Sequence, residues 1–329
     1  MHNFIATSAA VHWVAACCLT RVKGELKVAN LHNEFGAFHD CIALTQGRMA
    51  VLKHVREEIR DHISQYFLNT LGVLLPEFRG QGSYAMETST DPLAGEHAID
   101  DGVYLRHLDH RNCSGWPAPE IVHLWVADAA RGHAEATPID KQTCVRVTCA
   151  GQYHIDLRIY AELNGKPYLA ECSARGWHLN DPLALTNWFS GAVRAHGEQL
   201  RRIVRYLKAW ADFQSQRRGK MPSGLILTVS AVCNFVPDDR DDIALALTLR
   251  SMESDIDALV YILNPVDLKE ELTVRLTEAQ KKRFQEAIQD AAIDTTAAVV
   301  IEACHKASRL LRRQFGDRFP LIQEKGSRG

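Results

Sequence analysis

The sequence predicts an α/β fold in two lobes, a mixed-sheet core followed by a helical C-terminal lobe. Three observations carry this. Apolar residues alternate in short runs between Ile99 and Cys172, and they recur at steps of three or four from Gly47 to about Leu71. Beyond residue 180 the period becomes helical, and no further sheet is expected. The expected divisions are an extra N-terminal segment (1–30), a core lobe that begins with the long helix (31–178) and a helical lobe with a mobile tail (179–329).

Each element has its own signal. Met49, Leu52, Val55, Ile59, Ile63 and Phe67 form one stripe of the long helix, whose other face is charged. After Pro76 a turn at Gly80-Gln81-Gly82-Ser83 precedes a strand, Ile99-Asp100-Asp101-Gly102-Val103-Tyr104-Leu105. Residues from Pro117 to about Ala130 read as a helix. Cys144 to Thr148 and His154 to Leu163 alternate as strands, and Asn164-Gly165 marks a hairpin returning through Tyr168 to Cys172. Asp181-Pro182 is a helix start, because the carboxylate can cap and the proline lacks only a surplus N–H. Leu200, Ile203, Val204 and Leu207 mark a buried stripe. Thr277 and Gln280 fit a capping box for a helix to about Ala291, and Thr295 to Phe315 reads as another.

Composition bounds the function. With 46% hydrophobic and 24% charged residues over 329 positions, the chain can bury a substantial core, so disorder is not its default. A net charge of -2 gives no field for wrapping a long nucleic acid, and small anionic ligands fit better. Nine cysteines without zinc-type CxxC pairs are odd in number and point to a reducing cytoplasm. Phe4 to Leu19 imitates a signal-peptide core but has no Lys or Arg before it, and no run reaches the roughly 20 apolar residues of a membrane span.

The chemistry lies in three segments. In Gln81-Gly82-Ser83, glycine permits close backbone approach, and the serine hydroxyl with nearby N–H groups can bind phosphate. Taken alone, a Gly-Ser pair is usually just a turn. In Ala98-Ile99-Asp100-Asp101-Gly102, strand alternation puts Asp100 on the face of position 98 and turns Asp101 away. Position 98 is where a partner carboxylate belongs, and alanine supplies none. In His154-Ile155-Asp156-Leu157-Arg158-Ile159, the apolar residues face the core and Asp156 the other side, where it can meet Asp100 across neighbouring strands.

This ordered set resembles the cGAS/DncV-like nucleotidyltransferases, and among them the dinucleotide cyclases. The likeness extends through Lys141-Gln142-Thr143-Cys144, His154-Ile155-Asp156, Asn180-Asp181-Pro182 and Lys208-Ala209-Trp210, covering about residues 35 to 230. It implies a polymerase-beta-like core and a cyclic oligonucleotide synthase that joins ATP, GTP or other nucleoside triphosphates with Mg2+, or Mn2+ in its place. The implied metal carboxylates are Asp100 and Asp156, with Gln81 and Ser83 holding the donor triphosphate. Lys208 is implied near phosphate, Ser223 in the pocket lining, and Arg146, Asn180 and Asp181 near the acceptor nucleotide. The family carries aspartate at position 98, so Ala98 reads as an inactivating substitution. The family's products activate an effector in CBASS anti-phage signalling, and a ubiquitin-activating-like enzyme acts on C-terminal glycines, which makes Gly329 a conjugation candidate.

Plainer readings stand beside these. Arg201, Arg202 and Arg205 read mainly as a solvated helix face, and His107, His110 and Cys113 lack a fourth ligand at metal-site spacing. Trp125, Trp177, Trp188 and Trp210 are core or interface residues before they are base-stacking platforms. The rival functions are a template-independent tailing transferase and a non-enzymatic nucleotide-binding scaffold.

Overall fold

The computed structural model describes residues 28–93, 97–131, 137–149 and 153–324, and its contacts sort into two units, Leu44–Trp188 and Met1–Ala43 with Phe189–Gly329. The signal-peptide-like stretch and Gly329 lie outside the described residues. Helices are numbered from α1, His32–Ile42.

In the Leu44–Trp188 unit, Thr45 caps the long helix α2 (Gln46–Asn69) by accepting a hydrogen bond from the Arg48 amide. Leu52, Ile59, Ile63 and Phe67 are buried along one face of it, as the stripe predicted. A mixed sheet follows: β1 (Glu77–Gln81), β2 (His97–Tyr104), β3 (Ile139–Lys141), β4 (Cys144–Cys149), β5 (Tyr153–Leu163), β6 (Lys166–Glu171) and β7 (Gly176–Leu179). The order is β1-β2-β5-β4-β3, with β6 pairing both β5 and β7. Only β2 and β5 run parallel among these pairs, and the intervening chain supplies α4 (Pro119–Ala130) as well as the β3–β4 hairpin. The one-turn helix α3 (Gly82–Ala85) follows β1 directly.

Alternation on β5 sends Ile155, Leu157 and Ile159 into a core shared with Val145 and Val147 of β4, Val122 and Val126 of α4, and Phe67 of α2. The opposite face of β5 carries Asp156 and Arg158, which are only partly buried. The predicted hairpin closes with positive φ at both Asn164 (52°) and Gly165 (74°), the backbone that a tight two-residue turn between twisted strands requires.

The other unit is helical: α1, α5 (Pro182–His196, within which the division at 188/189 falls), α6 (Glu198–Arg218), α7 (Gly224–Asn234), α8 (Asp241–Ser254), α9 (Glu278–Val300) and α10 (Cys304–Phe315). Residues 31–43 group with this unit and not with the sheet, unlike the division expected from sequence. The reason is aromatic: Phe35 and Phe38 are fully buried against Tyr206, Phe315 and Phe319 at ring separations of 5.0 to 6.0 Å.

Two further corrections concern the C-terminal half. A small hairpin, β8 (Leu263–Asn264) with β9 (Asp267–Glu271), stands where no sheet was expected, because it is short and too polar to alternate. The capping box at Thr277 and Gln280 is present, but its helix continues to Val300. Thr295 does not begin a new one: its hydroxyl donates to the Ala291 carbonyl one turn back, a bond compatible with an unbroken helix. Among the described residues no helix is long and apolar enough to cross a membrane.

Candidate active site

The site is assembled on β1, β2, β4 and β5. Parallel register places Asp100 directly opposite Asp156, and antiparallel register places Gln81 opposite Asp100 and Arg146 opposite Asp156. Four sequence-distant residues therefore stand in one row across the sheet. Ala98 lies one step along the face of Asp100, pairs in register with His154 and is exposed.

The turn after β1 rests on Asp100. Gly82 has φ of +61°, and a Cβ built there would collide with the Asp100 carboxylate and approach its Cγ to 3.1 Å. Only glycine satisfies both demands, backbone handedness and space. Ser83 is half-buried, and its hydroxyl lies 3.1 Å from that of Ser89. Gln81 turns inward instead: it is buried, and its Nε2 has no hydrogen-bond partner among the described residues. The Tyr160 hydroxyl lies 3.2 Å from Gln81 Oε1 and 3.0 Å from Asn180 Oδ1, and donates to one at a time. Gly102 makes room for the Gln81 amide, which an added methyl there would overlap.

Both carboxylates have guanidinium partners. Arg146 donates Nε to Asp156 Oδ1 and Nη2 to Oδ2, each at 2.6 Å. Burial pushes the Asp156 carboxyl up, but these two bonds and the Arg146 charge outweigh it and hold the group below the usual carboxylate range. Arg158, two positions beyond Asp156 on the same face, places Nε 3.3 Å from Asp100 Oδ1. Sequence reasoning passed over Arg158, although strand alternation alone aims it beside the acids.

Asp101 shows the other outcome of alternation. It is fully buried and takes two hydrogen bonds from Arg60 of α2, Nη2 to Oδ1 at 2.6 Å and Nε to Oδ2 at 2.7 Å. Burial raises its carboxyl above the ordinary value against the pull of Arg60. This pair ties α2 to β2.

Asp181 serves as a helix cap, its Oδ1 accepting the Ala184 amide at 2.9 Å at the start of α5. In the helical unit, Lys208 and Ser223 come together. Ser223 caps α7, accepting the Ile226 amide, and a Cβ at Gly224 would lie 3.2 Å from Lys208 Cε, so the lysine chain runs along the N-terminus of that helix. Such a terminus carries partial positive charge beside the ammonium, a combination suited to phosphate. The neighbouring arginines have local acidic or imidazole partners: Arg201 bonds Glu198, Arg202 bonds Asp241, and Arg205 contacts His39. His107 is packed between Phe67 and Trp125 at 6.0 and 5.8 Å, a structural setting.

A divalent ion takes oxygen donors, and register sets two carboxylate residues, Asp100 and Asp156, side by side on adjacent strands. The donor set fits a shared ion with one carboxylate fewer than the two-metal arrangement calls for, since Ala98 contributes none.

Comparison with known proteins finds the same residues within a described domain. Residues 76–160 match the family described as "Cyclic GMP-AMP synthase DncV-like, nucleotidyltransferase domain". A cyclic GMP-AMP synthase of Escherichia coli (strain TW11681) is 24% identical over 327 residues, covering 81% of this chain and 72% of its own length. That of Vibrio cholerae serotype O1 is 25% identical over 224 residues, and the match spans only 50% of its length. The fold resembles the solved Vibrio cholerae DncV cyclic AMP-GMP synthase in complex with the linear intermediate 5' pppA(3',5')pG, with a TM-score of 0.75, 20% identity, and coverage of 91% of this chain and all of that one. The apo form of the Vibrio enzyme also gives a TM-score of 0.75, at 18% identity, over 89% of this chain and 97% of that one. The acidic row on β2 and β5 and the glycine turn seated against it fall within the matched domain, and the chain as a whole shares the fold of the solved DncV structures.

Proposed function

We propose that this chain is built as a cyclic oligonucleotide synthase, crippled as written at position 98. The observation that carries the reading is the register that sets Asp100 against Asp156, with the Gly82 turn packed on the first of them. Two nucleoside triphosphates bind in one site, as suggested by the Vibrio cholerae structures with nonhydrolyzable GTP and with the linear intermediate. The 3′-hydroxyl of one nucleotide attacks the α-phosphate of the other. A phosphorus–oxygen bond forms, the α–β anhydride breaks, pyrophosphate leaves, and a second round closes the ring.

This chain's own residues divide the work. The backbone around Gly82 and the Ser83 hydroxyl hold the donor triphosphate. Asp156 orients the attacking hydroxyl and accepts its proton, and Arg146 keeps that carboxylate ionised and directed. Asn180 lies near the acceptor base, positioned through Tyr160. Asp100 and Asp156 would hold a magnesium ion, whose chemistry would be to neutralise the charge that develops during the transfer.

With alanine at 98, Arg146 and Arg158 are the cationic partners of the two remaining acids, which favours a second reading in which the chain binds nucleotides without turning them over. The deciding experiment compares the chain with its Ala98→Asp variant, given magnesium and labelled triphosphates with and without an RNA primer, with products identified by mass spectrometry. Cyclic product from the variant supports synthase chemistry. Primer extension would establish the tailing enzyme, and nucleotide binding without pyrophosphate release would establish the scaffold.

By the same family resemblance, the setting is cytoplasmic anti-phage signalling, with an effector that senses the product and a ubiquitin-activating-like enzyme acting on Gly329. The seven described cysteines are all free, in keeping with a reducing compartment.

A further inference from the structure

On the sheet unit, away from the acidic row, three side chains of different chemistry converge. His123 projects from α4, Asp140 lies on β3, and Cys172 immediately follows β6. One ligand atom from each lies within 4.8 Å of the others. His123 is fully buried, Cys172 half-buried and Asp140 open to solvent.

The histidine is held as a metal ligand is held. Its Nε2 lies 3.0 Å from the Ala170 carbonyl, which can only accept, so Nε2 carries the proton and Nδ1 is the atom left to bind. Nδ1 faces Asp140 Oδ1 at 2.6 Å, a separation at which one of the two atoms must carry a proton or a cation must take its place. The cysteine is held too. Its amide donates to the Gln142 carbonyl at 2.8 Å, and Gln142 Nε2 donates to Glu171 Oε1 at 2.8 Å. Each ligand therefore has a supporting bond or a fixed backbone.

We propose that His123, Asp140 and Cys172 form a zinc-type metal site separate from the nucleotide-processing acids, clamping α4, the edge strand β3 and the end of β6 together. Nitrogen, oxygen and sulfur donors in one cluster select a borderline-soft ion such as zinc over magnesium. Three protein ligands leave the fourth tetrahedral position to water on the exposed Asp140 side. On binding, the thiol proton and the proton shared by Nδ1 and Asp140 leave to solvent, and nitrogen, oxygen and sulfur lone pairs replace them on the metal. No electron is transferred.

The test is a cobalt titration of the full chain after chelator treatment. An intense thiolate-to-metal charge-transfer band should grow in and saturate at one equivalent of Co2+ per thiolate site, and Zn2+ should then bleach it. Cys172→Ser should abolish the band, and Asp140→Asn should weaken binding at least about tenfold, with circular dichroism unchanged in both. Asp100→Asn and Cys113→Ser should leave the band intact. Absence of the band, its survival in Cys172→Ser, or its loss in Asp100→Asn would overturn the assignment.

Discussion

Arg60 reaches from α2 to hold Asp101 with two hydrogen bonds of 2.6 and 2.7 Å, one residue along β2 from Asp100 and on the opposite face of the sheet. The Asp101 side chain has no exposure at all. Removing its partner leaves an uncompensated buried carboxylate. Arg60→Leu is therefore expected to cost about 3–5 kcal/mol in denaturant unfolding, and Asp101→Asn, which keeps shape and hydrogen-bonding capacity, clearly less.

Gly82→Ala is expected to injure catalysis more than folding. The substitution forces a side chain into positive φ, at about 1–2 kcal/mol, and drives its methyl into the Asp100 carboxylate. In an Ala98→Asp background, pyrophosphate release should fall by about tenfold or more while the melting transition remains cooperative. Unchanged turnover would mean that the turn does not touch the reacting phosphates.

Asp156→Asn in the same restored background should lower kcat by about 100-fold or more, because the residue is assigned to move a proton. Nucleotide affinity should change far less. Single-turnover measurement separates the two, and a loss confined to binding would reassign Asp156 to holding substrate.

The helical unit makes a pH prediction through Asp241. Burial alone would raise this carboxyl, but bonds from Arg202, Gln199 and Tyr206 bring it down from 3.8 to about 2. A depressed folded pKa means stability fully present above the unfolded value and lost as pH falls through the folded one. The unit should thus lose about 2 kcal/mol between roughly pH 4 and pH 2 on this account. Asp241→Asn should flatten that part of the unfolding profile, as measured by chemical denaturation across the acid range.

Much of the sheet and its acids was legible because strand alternation is a local rule. Ile155, Leu157 and Ile159 mark one face of β5 unaided, and Asp156 follows on the other. The partners of those acids were harder to see. Arg60 is separated from Asp101 by 41 residues and Arg158 from Asp100 by 58, and no local pattern encodes such pairings. Residues 31–43 fall with the helical unit for the same reason, since the aromatic partners of Phe35 and Phe38 lie far along the chain. Thr295 misled through composition: a threonine suggests a cap, but its hydroxyl can equally bond one turn back inside a helix.

The in-line pairing of β2 with β5 also sets what this protein can tolerate as it diverges. Loops joining the two strands can grow or shrink freely, but a slip of a single residue in either would bring Ile99 or Asp101 opposite Asp156 in place of Asp100. Insertions and deletions are thus free to accumulate in the loops that join the intervening elements and are barred within β2 and β5 themselves.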